Sequence, residues 1–278
     1  MRTLTILLTI AGLVMVSPAL ADTTVTITTN NVTCQVPPPV EVPAPATPSV
    51  AAGVQAARNK DFALARANFS PLAANGDAEA ERAMGQLLMQ DCTGLQDKDA
   101  GANWLSKAAD VGNIQAAAEL GNAYMTGRGV AEDDNKAIPL LQKAADAGVK
   151  EAQTNLGYLY TNGRGVPMDK YQGMVWTVKG GEQGAPAALL NIAWAYFKGG
   201  ALPQDNDKAA YYMYAALERS TGAQRSRFAG TTNDISRALS AADLARASRK
   251  ALSWSPGSGS LSDVLDDAKR TQARTAKN

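Results

Sequence analysis

The chain of 278 residues contains no histidine. Ser-His-Asp and Cys-His catalysis, histidine metal sites and the commonest general base are excluded with it. Cysteine is nearly missing too: Cys34 and Cys92 are the only two, too few for a tetrahedral zinc site. No sign of charge dominates, since 27 Lys and Arg face 26 Asp and Glu for a net charge of +1. A neutral chain has no long-range attraction to nucleic acid or to acidic membranes. Long apolar runs are confined to residues 4–16, fewer than the roughly 20 residues that span a bilayer.

What stands at the N-terminus reads as an export signal. Arg2 supplies the positive start, residues 4–16 the apolar stretch, and Ala19 and Ala21 the small residues of a cleavage site after Ala21. Loss of Arg2 with this leader brings the mature net charge to zero. The mature chain is expected in the periplasm or secreted, with no transmembrane segment. In an oxidising compartment two cysteines suit a disulfide. A Cys34–Cys92 bond would close a loop of roughly 58 residues, a constraint of about 4 kcal/mol in the chain-entropy picture. Two free thiols, or pairing between molecules, are the alternatives.

The strongest positive signal is internal repetition. Gly76, Gly112, Gly148 and Gly184 are spaced 36 residues apart. In the same register run Ala80, Ala116, Ala152 and Ala188, then Leu88, Tyr124, Tyr160 and Tyr196, then Asp97, Asp133, Asp169 and Asp205. Each unit reads as two helices. The first puts Ala116, Leu120, Gly121 and Tyr124 on one face, and the glycine column lets a neighbouring helix approach closely. Gly127 and Gly163 suit the left-handed residue that ends a helix. The repeated aspartate can cap the second helix through its backbone N–H groups, and that helix buries a stripe such as Trp104, Leu105, Ala108 and Ala109. Pro139 falls early in its helix, which is expected to start near Asn135 or to bend. A lone hairpin cannot bury its apolar face, so the copies must stack.

These residues carry a specific resemblance. Leu120-Gly121, Tyr124, Gly127, Gly129-Val130 and Asp133, with Trp104-Leu105, Lys107-Ala108-Ala109 and Gly112, form a pattern that resembles the Sel-1-like repeat, a relative of the tetratricopeptide helix pair. Residues 76–219 fit four copies; the first departs at Asp91-Cys92-Thr93-Gly94 and the fourth at Gly199-Gly200-Ala201-Leu202. The resemblance implies an all-α, right-handed α/α superhelical solenoid.

Around the repeats, 1–21 is the leader, 22–50 a Thr/Val-rich and proline-rich arm expected to be flexible, and 51–75 a divergent leading hairpin marked by Asp61. Residues 22–35 alternate around Val25 and Ile27 and could instead form a strand. Six prolines between Pro37 and Pro48 favour an extended spacer. Residues 220–254, with a capping-box pattern at Ser240-Ala241-Ala242-Asp243, resemble the closing helices of exported relatives and would cover the last repeat. The end, 255–278, has a weak amphipathic pattern at Leu261, Val264, Leu265 and Ala268 and is expected to be a flexible basic tail, a docking helix being the alternative.

The Gly-Arg-Gly-Val loops lack the Gly-Lys-Ser/Thr ending of a phosphate-binding loop, but Arg128 and Arg164 could touch an anionic partner. By analogy with tetratricopeptide arrays, Gln86, Asn122, Tyr158 and Trp194 line a concave face, with Met89, Met125 and Phe197 three positions on, Thr161 sharing that column. Tyr and Trp are typical binding hot spots; the competing reading is that Trp194 and Phe197 pack against the terminal helices. The resemblance points to a non-catalytic scaffold or adaptor for a protein or peptide, needing no cofactor and no metal. A structural subunit of an envelope assembly is the alternative. A hydrolase of cell-wall or β-lactam substrates would rest on carboxylates alone, and the chain has no Ser-x-x-Lys motif.

Overall fold

A computed structural model of the chain describes residues 4–5, 25–29, 32–36, 42–43, 45–91, 93–256 and 261–276. Apart from Leu4–Thr5 the leader lies outside these residues, and so does Cys92, and with it the Cys34–Cys92 pairing. The fold is an all-α helical repeat solenoid, and the chain divides into two compact units, Met1–Glu132 and Asp133–Asn278.

The first unit opens with three short strands, β1 (Leu4–Thr5), β2 (Val25–Thr29) and β3 (Val32–Val36). β1 runs parallel to β2, and β2 pairs antiparallel with β3 in a register that sets Val25 opposite Val36 and Ile27 opposite Cys34. Part of the stretch read as flexible arm is thus a hairpin. The β-branched alternation of Val25, Ile27, Val32 and Val36 outweighs the neighbouring prolines, which begin only at Pro37.

Helices follow in antiparallel pairs: α1 (Val50–Arg58) with α2 (Phe62–Ala74), α3 (Ala78–Met89) with α4 (Lys98–Asp110), and α5 (Ile114–Thr126). Each second helix starts at the repeated aspartate. Asp61 and Asp97 accept the N–H groups of Leu64 and Ala100 at 3.0 and 2.9 Å, so the column that the sequence assigns to capping does cap. Asp77 and Asn113 do the same for α3 and α5. The core of this unit joins Ala65, Phe69, Ala80, Met84, Leu87 and Leu88.

The second unit contains α6 (Asp134–Asp146), α7 (Lys150–Asn162), α8 (Lys170–Glu182), α9 (Pro186–Lys198), α10 (Asn206–Glu218), α11 (Gly222–Arg237), α12 (Ala241–Ala251) and α13 (Ser262–Thr275). Asp133, Asp169 and Asp205 cap α6, α8 and α10 at 3.1, 2.9 and 2.9 Å. α6 begins one residue before Asn135 and continues through Pro139.

Close approach within a hairpin depends on glycine. A methyl group on Gly157 of α7 would strike the Thr177 hydroxyl and lie 2.8 Å from the Gly173 carbonyl oxygen on α8, and one on Gly173 would strike Thr161. Gly85 and Gly101 make the same crossing between α3 and α4. Gly85 and Gly157 therefore let their paired helices touch backbone to backbone.

The C-terminal segment differs from its expected form. α13 is docked, with Leu261, Val264 and Ala268 buried in one core with Leu189, Ile192, Tyr196, Tyr212, Ile235 and Trp254. The i, i+3, i+7 stripe that looked weak beside the basic residues 269–277 is apolar enough to seat the helix against α8. A buried polar contact reinforces it. Asp267 accepts the Tyr196 hydroxyl at 2.8 Å and the Lys208 ammonium at 2.6 Å, and its other oxygen faces Arg270. α12 packs on α10, and Ser240 accepts the Asp243 N–H at 3.2 Å. The reciprocal capping box sits instead at Thr221 and Gln224, opening α11.

Candidate functional site

The concave-face residues expected from the repeat register are divided between the two units, Gln86, Met89, Asn122 and Met125 in the first and Tyr158, Trp194 and Phe197 in the second. In the first unit Gln86 is exposed and lines a hollow of about 260 Å³ with Val54, Phe69 and Leu87. Its amide donates to Glu119 at 2.6 Å. Met89, three residues on, is 8 % exposed and packs where a Gly101 side chain would otherwise stand, so it is a core residue and not a surface for a partner. Asn122 and Met125 are half-buried on α5.

Glu79, Arg82 and Glu119 form an ion-pair chain between α3 and α5. Burial raises the Glu119 carboxyl above its ordinary value, opposed by Arg82 and Gln86, while the Arg82 hydrogen bond lowers Glu79. Two carboxyls pushed apart can signal acid–base chemistry. Here Arg82 binds both and neither lines the hollow, so the arrangement is a staple between consecutive first helices.

The loop arginines are staples as well. Arg128 donates to the Met89 carbonyl and faces Asp91 at 3.6 Å. Arg164 grips both oxygens of Asp134 at 2.8 Å. The glycine after each arginine lies against the start of the preceding second helix: a side chain on Gly129 would run into the Lys98 carbonyl, and one on Gly165 into Asp134 and Ile138. These loops clamp one repeat to the one before, which turns the arginines away from the anionic contact foreseen for them.

In the second unit two of the expected residues do come together. Tyr158 of α7 and Trp194 of α9 line a cleft of about 280 Å³. The buried Met174 and Thr177 of α8 form its floor, with Thr161 and Ala195 beside them. Lys170 and Lys198 stand at its edge with Asn191. Tyr158 is 41 % exposed, and the guanidinium of Arg164 lies 5.9 Å from its ring. Trp194 leans on Phe197 with ring centroids 5.6 Å apart, and the Lys198 ammonium lies 4.8 Å from the Trp194 ring. Phe197 itself is half-buried against the core, so the packing alternative describes Phe197, while Trp194 faces the cleft.

The repeat columns missed Lys170, Lys198 and Asn191. Lys198 and Asn191 lie four after and three before Trp194 and share its helix face, a signal that was readable. Lys170 opens α8 and lines the cleft beside Gly200. Among the described residues no group of three or more His, Cys, Asp or Glu could hold a metal, and no helix is long and apolar enough to cross a membrane.

Comparison with known proteins agrees with this architecture. The family profile described as the Sel1 repeat matches residues 78–113, 114–149, 150–184 and 186–220, just over half of the chain. One similar solved structure is c5321, a protective antigen present in uropathogenic Escherichia coli strains and displaying an SLR fold; it is 24% identical with a TM-score of 0.56, over 77% of this chain and 43% of that one. Another is a Sel1 repeat protein from Oxalobacter formigenes, 24% identical with a TM-score of 0.52, over 60% of this chain and 66% of that one. At such identity the likeness is one of fold, and the chain spans less than half the length of the first. No curated protein matches the chain.

Proposed function

The chain belongs to the Sel1 repeat family, and from that premise we propose that it is a non-catalytic scaffold or adaptor of the bacterial periplasm that holds a protein or peptide on its first-helix face. Sel1 repeat proteins generally mediate protein–protein interaction. The observation that carries the reading is the cleft between Tyr158 and Trp194. An exposed tyrosine and a half-buried tryptophan line it, each backed by a neighbour, in a chain with only 6% aromatic residues. Trp and Tyr are enriched among the residues that dominate binding energy at interfaces. In the first unit Glu79, Arg82 and Glu119 are bonded to one another. The periplasmic assignment rests on the leader of residues 1–21.

A crosslinking pull-down of the mature protein from envelope extract, run beside a Tyr158→Ala/Trp194→Ala variant, tests the reading. A defined partner captured by the wild type and lost with the variant supports it. Capture unchanged by the variant moves the contact off the cleft, and no partner at all in repeated envelope preparations refutes the adaptor.

A further inference from the structure

We propose that the cleft takes an acidic peptide segment, one aromatic or bulky aliphatic side chain entering between Tyr158 and Trp194 while a neighbouring carboxylate pairs with Lys170 and Lys198. This deepens the protein-binding reading above and rests on it. A cleft of about 280 Å³, at the lower end of the roughly 300–1,000 Å³ of drug-sized and cofactor sites, has room for one side chain with its flanking backbone.

Charge decides the partner's chemistry. Lys170 and Lys198 are exposed, and among the described residues neither forms an ion pair. No acidic residue lines the cleft. The nearest in sequence, Asp169, spends its carboxylate on the Gln172 N–H as helix cap. Lys170 reaches over Gly200, its ammonium 3.6 Å from where a side chain there would begin, and Lys198 lies over the Trp194 and Phe197 rings. Two uncompensated cations around a half-enclosed hollow concentrate a positive potential in it. The Asn191 amide, with no hydrogen-bond partner among the described residues, offers one donor and one acceptor group to a peptide backbone. The walls are set in advance, since Arg164 is locked to Asp134 behind Tyr158 and Phe197 backs Trp194. Little ordering remains to oppose binding. In the first unit the equivalent helices carry Glu79, Arg82 and Glu119 in a closed ion-pair chain, so the unpaired positive edge is a property of this cleft and not of the repeat.

The test pans a displayed library of random heptapeptides against the full mature chain, then measures the best synthetic peptide by fluorescence anisotropy. Three proteins are compared: wild type, Lys170→Gln/Lys198→Gln, and Trp194→Ala, each checked by circular dichroism for unchanged melting. Both lysines are exposed and unpaired, so the glutamine pair is expected to fold. The expected result is enrichment of peptides with Asp or Glu beside Phe, Trp or Leu. Their binding should weaken roughly tenfold in the glutamine pair, as two solvent-exposed charge contacts imply, and should fall with added salt. Enriched peptides without acid, lost only on Trp194→Ala, would overturn the acidic specificity while leaving the cleft as the binding site. Peptides that ignore both variants, or no enrichment, would overturn the cleft altogether.

Discussion

Replacing Asp267 by Asn should release the C-terminal helix α13 by an amount that can be worked from its surroundings. The carboxylate is 5 % exposed. Burial alone would raise its pKa, but hydrogen bonds from Lys208, Arg270 and Tyr196, with the Lys208 charge, hold it down to about 2 from 3.8. At about 1.4 kcal/mol per unit this favours the docked, ionised state by about 2.5 kcal/mol, roughly sixtyfold in the opening equilibrium. A group whose folded pKa is depressed contributes above the unfolded value and stops contributing as pH falls through the folded one. The stabilisation is therefore complete above pH 4 and fades between about 4 and 2. Asn keeps the shape and can still accept from Tyr196, so the loss reports the charge. Hydrogen exchange of the peptide covering residues 262–275 is the assay, because an end helix of a repeat array can open without the rest. Wild type and variant should differ about sixtyfold near pH 7 and converge toward pH 2.5. Equal exchange at pH 7, or a gap that persists unchanged at pH 2.5, would show that the Asp267 contacts do not hold the helix.

Other expectations follow from packing and capping. Gly157→Val should lower stability by about 1–3 kcal/mol through collision with Thr177 and the Gly173 carbonyl, read as a lower urea midpoint, whereas Gly112→Asn, at a positive-φ turn with open space around it, should cost much less. Asp169→Ala removes the 2.9 Å cap of α8 and should cost about 1 kcal/mol in the same melts. A double-mutant cycle on Arg164 and Asp134 should give a coupling of about 1 kcal/mol, since the pair is bidentate but partly exposed; zero coupling would sink the account of the loop as a clamp. N-terminal sequencing of the exported protein should begin at Asp22, and retention of Met1 would refute the leader assignment.

How much of this was open to a reader of the chain depends on the range over which each feature is decided. The repeat, the paired helices, the aspartate caps and the glycine crossings all arise from contacts within one 36-residue unit, and each recurs along the chain. Periodicity and capping chemistry are local, so the columns Gly85–Gly157 and Asp61–Asp205 could be assigned before any coordinates. The same register put Tyr158 and Trp194 in one column, and both line the cleft of the second unit. Met89 was misplaced because the register gives a residue's position on a helix but not the neighbour across the crossing, and Gly101 leaves a hole there that Met89 fills. Arg128 and Arg164 looked free because their partners, Asp91 and Asp134, lie some thirty or more residues away with no motif to announce them. Lys170 joined the cleft, and α13 the core, for the same reason: Lys170 comes to share a cleft with Trp194, and Asp267 meets Tyr196, only once the hairpins have stacked. Residue spacing along a chain records which face of a helix a side chain occupies. Which charges end up paired, and which are left open to a partner, is settled by the packing of helices distant in sequence.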